Sequence, residues 1–261
     1  MQITIIGGGN MGAAIACGLS TGSCFAPDDI HVIDPNRLSV ERIKNFDNRI
    51  QAVVDNYESL NTADIIVIAV KPWMVKEILT VHRNKLNGKQ LIISIAAGVS
   101  LSQLEEMVPL KAPLFRLVPN TAIAVKQSMT FVSSLNAGKE QEALILKIFD
   151  ELGKAELVKE NLIPALTALS SCGIAYAFRY IRAATEGGVE MGIYPDQAKN
   201  FVLQTLRGAV ELLEQSGSHP EAEIDRVTTA GGITIKGLNE MEHAGFSSAI
   251  IKGLKASNIK E

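Results

Sequence analysis

The sequence predicts an α/β fold, with an N-terminal doubly wound sheet over residues 1–157 and an all-α helical domain over residues 158–261. Three observations predict it. Short, continuously apolar, β-branched segments recur at residues 3–6, 30–33, 51–54, 65–70, 91–95 and 114–118, as strands buried on both faces of a parallel sheet do. Helical stretches separate them. Beyond residue 158 the apolar residues switch to helical spacing and no strand signal survives.

The first strand, Ile3-Thr4-Ile5-Ile6, runs directly into Gly7-Gly8-Gly9-Asn10-Met11-Gly12 and a small-residue helix. This is G-x-G-x-x-G placed between a strand and a helix, where it has mechanical meaning. Gly7 permits the tight turn, Gly9 lets backbone approach a pyrophosphate, and Gly12 lets helix and strand pack closely. The phosphates would meet the bare N–H groups of the helix N-terminus. The sheet is therefore read as Rossmann-type and its ligand as a dinucleotide.

Such sites place an acidic residue after the second strand to hold the ribose hydroxyls. Asp34 stands there and favours NADH, whereas Asn36 and Arg37 immediately after it could hold a 2′-phosphate and favour NADPH. A third reading makes Asp34-Pro35-Asn36 only turn chemistry. The next helices are expected at residues 74–82, 102–107 with Ser102 as N-cap ahead of Glu105, and 139–152, stopped at Gly153.

Ala69-Val70-Lys71-Pro72 ends one strand, and Ile95-Ala96-Ala97-Gly98 ends the next. Small residues there let the nicotinamide half of a dinucleotide lie against backbone. Lys71 reads as a solvated or positioning group before it reads as a proton donor. Asn120, in Pro119-Asn120-Thr121, is a turn residue that could also bond a cofactor or a loop backbone.

In the second part, helical spacing covers residues 162–169, 176–185, 196–213 and 234–243. The stretch 196–213 is apolar most of the way round, and a helix of that kind belongs inside something. A domain of about 100 residues offers little interior for it. Intertwining with a second chain is one solution, which makes this a dimerisation domain; sandwiching within its own domain is the other. The glycine pair Gly231-Gly232, followed by Ile233-Thr234 at a helix start, suits a carboxylate-sized anion. Thr234 projects a hydroxyl from the same place, or simply caps its helix.

Bulk properties exclude several classes. Lys and Arg total 25 against 28 Asp and Glu, a net charge of -3, so no basic face exists for a nucleic-acid backbone. Hydrophobic residues form 47% of the chain, which argues against disorder. The N-terminus lacks a basic region with a cleavage site, and no apolar stretch is read as approaching the ~20 residues of a bilayer span. Cys17, Cys24 and Cys172 read as reduced thiols of a cytoplasmic protein. His31, His82, His219 and His243 are scattered, and no metal is expected.

Taken in order, these motifs resemble the pyrroline-5-carboxylate reductase family over essentially the whole length. The residues that carry the resemblance are the glycine loop, Ala69-Val70-Lys71-Pro72, Ala96-Ala97-Gly98-Val99 and Pro119-Asn120-Thr121. Cys172-Gly173-Ile174-Ala175-Tyr176, Gly187-Gly188-Val189-Glu190-Met191-Gly192, His219-Pro220, Gly231-Gly232-Ile233-Thr234-Ile235 and Gly245-Phe246 complete it.

The resemblance implies hydride transfer from NADPH or NADH to the ring imine of 1-pyrroline-5-carboxylate, giving proline. It implies that backbone N–H groups of Gly231, Gly232 and Ile233 bind the substrate carboxylate and that Thr234 hydrogen-bonds the ring nitrogen. It further implies that Glu160 lies near the substrate and Asn56 near the adenosine. It implies a helical domain swapped within a homodimer, with dimers often forming decamers. The chain departs from the family at Ser170-Ser171-Cys172-Gly173-Ile174, where Ser-Gly-Ser-Gly-Pro is usual. It also departs at Thr229-Ala230, at Ile233, at Ala122 after Pro119-Asn120-Thr121, and at Glu223-Ile224. Those departures motivate two alternatives: reduction of another cyclic imine or small acid, or a nucleotide-binding regulatory protein without turnover.

Overall fold

In the computed structural model, residues 1–108 and 111–259 are described, and they form two compact units, Met1–Ser171 and Cys172–Ile259. The segment 158–171 belongs with the first unit.

The first unit is built on one eight-stranded sheet: β1 (Ile3–Ile6), β2 (Ile30–Ile33), β3 (Gln51–Val53), β4 (Ile65–Ile68), β5 (Leu91–Ser94), β6 (Leu114–Val118), β7 (Ser128–Leu135) and β8 (Gly153–Leu157). Its order is β3-β2-β1-β4-β5-β6-β7-β8, and β1 to β6 are parallel. Helices α1 (Asn10–Ser20), α2 (Arg37–Phe46), α3 (Pro72–Val81), α4 (Leu101–Met107) and α5 (Lys139–Asp150) connect the strands. Neighbouring residues of one strand face opposite layers. Ile5 and Val67 join α1 and α5 in one apolar cluster, while Ile6, Ile66 and Ile68 join α3 and α4 in the other. Burial on both faces is why these strands read as unbroken apolar runs.

Strands β7 and β8 depart from the expected pattern. The 119–127 connection is shorter than the dozen residues a parallel crossover needs, so β7 returns antiparallel to β6. Its sequence mixes Ser128, Thr130 and Ser133 among apolar residues, all three buried, so it lacks a continuous apolar run. The edge strand β8 alternates Lys154 and Glu156 with Ala155 and Leu157, which blunts the edge against further pairing. The N-cap of α4 is Ser100 rather than Ser102. Its hydroxyl accepts from Gln103 N while Gln103 Oε1 accepts from Ser100 N, a complete capping box two residues ahead of the Ser102–Glu105 pairing.

The chain leaves β8 through a 3-10 turn at Glu160–Leu162, α6 (Ile163–Leu166) and a π-turn at Thr167–Cys172, then enters α7 (Gly173–Glu190). Ser170 and Ser171 hide the continuity in sequence, but Glu160–Glu190 is one helical run of 31 residues. Its most apolar window has mean hydropathy 1.3 and is 11% buried, so by length and composition alone it could cross a bilayer. This corrects the expectation that no stretch is long and apolar enough.

In the second unit α7 packs on α8 (Pro195–Ser216), where a side chain on Gly188 would stand 3.0 Å from the Ala198 methyl. Helices α9 (Pro220–Val227), α10 (Ile233–His243) and α11 (Phe246–Ser257) follow. Phe201, Val210 and Leu212 of α8 stay exposed, and Ala198 is its buried residue. That helix is not sandwiched within its own domain. Phe178, Ile250 and Ile251 on α7 and α11 are exposed as well.

Candidate active site

The loop between β1 and α1 is specified by sterics. Gly7 has φ +106, and a side chain there would stand 2.5 Å from the Ala69 carbonyl oxygen. A side chain on Gly12 would stand 1.9 Å from the Gly7 carbonyl oxygen, whereas one on Gly9 would meet nothing within 4 Å. Two glycines thus serve close packing, and the third leaves open space beside its backbone. Gly9 is the N-cap of α1 and no side chain caps that end, so the first N–H groups of Asn10, Met11 and Gly12 lie where a helix has no internal acceptors.

Asp34, at the end of β2, is buried and bound to backbone through both oxygens. Oδ2 accepts from Gly8 N at 2.6 Å and Oδ1 from Asn36 N at 2.7 Å. Asn36 caps α2 by accepting from Leu38 N at 2.9 Å. Arg37 opens that helix, exposed and paired with Glu41 at 3.0 Å. Arg42, one turn on, escaped the sequence reading because it looks like any surface helix residue. It donates from Nη2 to the Gly8 carbonyl at 3.0 Å and from Nη1 to Asn10 Oδ1 at 3.4 Å.

The carboxyl ends of β4, β5 and β6 continue the same rim. Ala69 N bonds Ile6 O at 2.8 Å and holds its small side chain beside the glycine turn. Val70 follows, Lys71 is the exposed N-cap of α3, and Pro72 is its first residue. After β5, Ala96 is buried and Ala97 exposed, followed by Gly98 at φ +76. Asn120 is nearly buried and accepts from Ala122 N at 3.0 Å, donates to Ser170 Oγ at 3.1 Å, and uses its N–H on Ser128 Oγ. Ser171 Oγ donates to Pro119 O, a second tie from the π-turn to this loop.

Asn56 is exposed beyond β3, closing an Asx turn with Glu58 N at 3.0 Å. Beside it Tyr57 stacks on His82 with ring centres 3.8 Å apart. Burial, with the Asp55 and Asp34 charges, pushes the Tyr57 phenol up; burial and then Lys85 push His82 down.

Glu160 Oε1 accepts from Leu101 N at 2.8 Å, at the start of α4, and from Arg116 Nη1 at 3.1 Å. Arg116 sits on β6, its side chain almost wholly buried. It was missed in the sequence, where the signal was a charge inside the apolar strand Leu114–Val118. The pair lines a cleft of about 630 Å³ with Gly98, Ser100, Ser102 and Gln103.

In the second unit Gly231 has φ +74 and Gly232 is the N-cap of α10, its N–H bonded to Thr229 O at 2.9 Å. Ile233 and Thr234 are therefore the first two residues of the helix and both are exposed. Thr234 is not the cap, and among the described residues its hydroxyl has no hydrogen-bond partner.

Residues 160–261 match the family model described as pyrroline-5-carboxylate reductase dimerisation, and residues 2–98 match one described as NADP oxidoreductase, coenzyme F420-dependent. The chain is 36% identical to pyrroline-5-carboxylate reductase 1 of Dictyostelium discoideum over 99% of its own length and 49% of that protein. It is also 36% identical to reductase 2 of the same organism, over 98% of this chain and 90% of the relative. A crystal structure of Plasmodium falciparum pyrroline carboxylate reductase with NADP bound superposes with TM-score 0.89 at 28% identity, covering 99% of this chain and 95% of that one. From its Rossmann-type sheet to its helical dimerisation domain, the chain belongs to the pyrroline-5-carboxylate reductase family of oxidoreductases.

Proposed function

We propose that the chain reduces the ring imine of 1-pyrroline-5-carboxylate to proline, the last step of proline biosynthesis, with NADPH as reductant. The observation that carries this reading is the glycine loop, in which Gly9 leaves open space while Gly7 and Gly12 cannot accept a side chain. A backbone cradle of that form admits a pyrophosphate to the N-terminus of α1. Gly7, Gly8, Gly9, Asn10, Met11 and Gly12 would hold it. NADPH is favoured over NADH because both Asp34 oxygens are engaged by backbone, while Asn36 and Arg37 open a helix with no acidic residue in its first turn. A 2′-phosphate suits that end of α2.

Asn56 serves the adenosine side. Ala69, Val70, Lys71, Pro72, Ala96, Ala97 and Asn120 surround the nicotinamide half, small where the ring must approach backbone. The N–H groups of Gly231 and Ile233 anchor the substrate carboxylate, Gly232, whose own N–H is engaged by Thr229 O, holds the turn between them, and Glu160 borders the substrate. Bound nicotinamide supplies the hydride for the imine carbon. Thr234 hydrogen-bonds the ring nitrogen, holds it where it takes up a proton, and so keeps the adjacent carbon electrophilic. The protein's main contribution is orientation of a small anchored ring.

We assign the division of labour to residues 1–157 for the cofactor and 158–261 for pairing and substrate. The dimerisation domain supports a homodimer, and the exposed apolar faces of α7, α8 and α11 support helices exchanged between two copies, with each site using both chains. Decamers of such dimers and a cytoplasmic location complete the proposal.

The changes at Ser170-Ser171-Cys172 and Thr229-Ala230 favour a second reading, a different cyclic imine. Steady-state oxidation of NADPH and NADH, with pyrroline-5-carboxylate and with the six-membered piperideine-carboxylate, tests both. Higher kcat/KM on the five-membered ring supports the proposal. Comparable or better turnover of the larger ring overturns it, and tight cofactor binding with no turnover of either points to the regulatory reading.

A further inference from the structure

We infer that Arg42 is a positioning residue for the dinucleotide, acting through the Gly8 carbonyl rather than by touching the ligand. The inference rests on the cofactor reading above and adds to it a residue that neither the motif nor the rim contains.

A trans peptide places its C=O and N–H on opposite sides. Fixing one therefore aims the other. The peptide joining Gly7 and Gly8 shows the effect: its N–H bonds Asp34 Oδ2 at 2.6 Å, and its carbonyl emerges on the far side, against Gly12. The following peptide joins Gly8 and Gly9. Its carbonyl is held by Arg42 Nη2 at 3.0 Å, so its N–H, that of Gly9, is turned away from Arg42. Gly9 is the glycine with open space beside it.

Glycine peptides rotate freely unless something holds them. Here two side chains, from β2 and α2, clamp Gly8 at both its N–H and its carbonyl. Arg42 also donates to Asn10 Oδ1 at 3.4 Å, on the first residue of α1, coupling the aim of the Gly9 donor to the helix end. A guanidinium can do this because its fork reaches two acceptors in fixed geometry.

The test uses Arg42→Met, which keeps reach but no donor, and Arg42→Lys, which keeps one donor. KM is measured for NADPH, for NADH and for the imine, with kcat and the thermal midpoint alongside. Arg42→Met is expected to raise KM for both cofactors by about tenfold, the size of one net hydrogen bond. The imine KM and kcat should change less than about twofold, and Arg42→Lys should fall between Arg42→Met and the parent. Both cofactors should suffer alike because the pyrophosphate is common to them. Unchanged cofactor KM in Arg42→Met overturns the inference. A loss confined to NADPH also overturns it, since Arg42 would then contact the 2′-phosphate directly. If Arg42→Met lowers the thermal midpoint markedly, Arg42→Lys decides on the same readouts. A parent enzyme that saturates with neither cofactor would instead defeat the cofactor reading itself.

Discussion

Arg116 and Glu160 meet at 3.1 Å, an almost wholly buried guanidinium on β6 against a carboxylate at the start of the long helical run. The same carboxylate oxygen accepts from Leu101 N, so one side chain joins a strand, the N-terminus of α4 and the segment leading to α7. Removing it takes a partner from a buried charge, which costs more than losing an exposed ion pair.

Glu160→Ala is therefore expected to lower stability by about 1–3 kcal/mol, below the cost of breaking a fully buried pair because the carboxylate is partly exposed. Glu160→Gln keeps an acceptor for Leu101 and should recover part of the loss. Urea unfolding measures both. The imine KM in Glu160→Gln reports the proposed substrate role, and an unchanged KM restricts Glu160 to architecture.

Thr234→Ala separates chemistry from folding. The hydroxyl neither caps α10 nor bonds within the described chain, so stability should stay within about 0.5 kcal/mol of the parent. Turnover should fall about a hundredfold, the loss of a hydrogen bond aimed at the reacting group. Near-normal kcat would remove Thr234 from the mechanism.

Cofactor preference resolves into two single changes. Arg37→Ala is expected to raise the NADPH KM by about tenfold and leave NADH nearly unchanged, as loss of a charge-assisted contact to one phosphate would. Asp34→Ser releases Gly8 N–H and should weaken both cofactors together. If Asp34→Ser impairs NADH alone, Asp34 is a ribose ligand rather than a loop tether.

Acid sensitivity should centre partly on Glu151. Burial pushes its carboxyl up, but donors from Ser23 and Cys24 outweigh this and hold it below the ordinary value of 4.5. A depressed folded-state pKa gives stability that is full above the unfolded value and is lost as pH falls through the folded one. Glu151→Gln should therefore be less stable than the parent at neutral pH, with the difference shrinking on acidification below about pH 4.5. A difference that persists unchanged to low pH would show that ionisation of Glu151 is irrelevant.

The cradle was legible because its constraints are local. Gly7 turns at φ +106 and Gly12 must clear the Gly7 carbonyl, both within one strand–turn–helix unit, and the strands β1, β2, β4, β5 and β6 announce themselves by burial on both faces. Strand β7 was not legible. Its Ser128, Thr130 and Ser133 are buried polar residues: the first two bond each other, Ser128 also accepts from Asn120 N, and Ser133 donates to Val158 O, pairings that spacing does not reveal. The ambiguity at Asp34 had the same origin: turn, ribose ligand and loop tether share one local sequence.

By itself the chain's order of residues determined the doubly wound architecture, the glycine cradle, the helical second part and the excess of apolar surface on α8. Tertiary structure alone decided that Asp34 binds Gly8, that Arg42 holds the carbonyl of the same residue, that Glu160 pairs with Arg116, and that Thr234 stands free of capping duty. The division follows from distance. Hydrophobic period and glycine sterics act between near neighbours, whereas a hydrogen bond between residues 34 apart, such as Arg42 to Gly8, exists only once the sheet has brought its strands together.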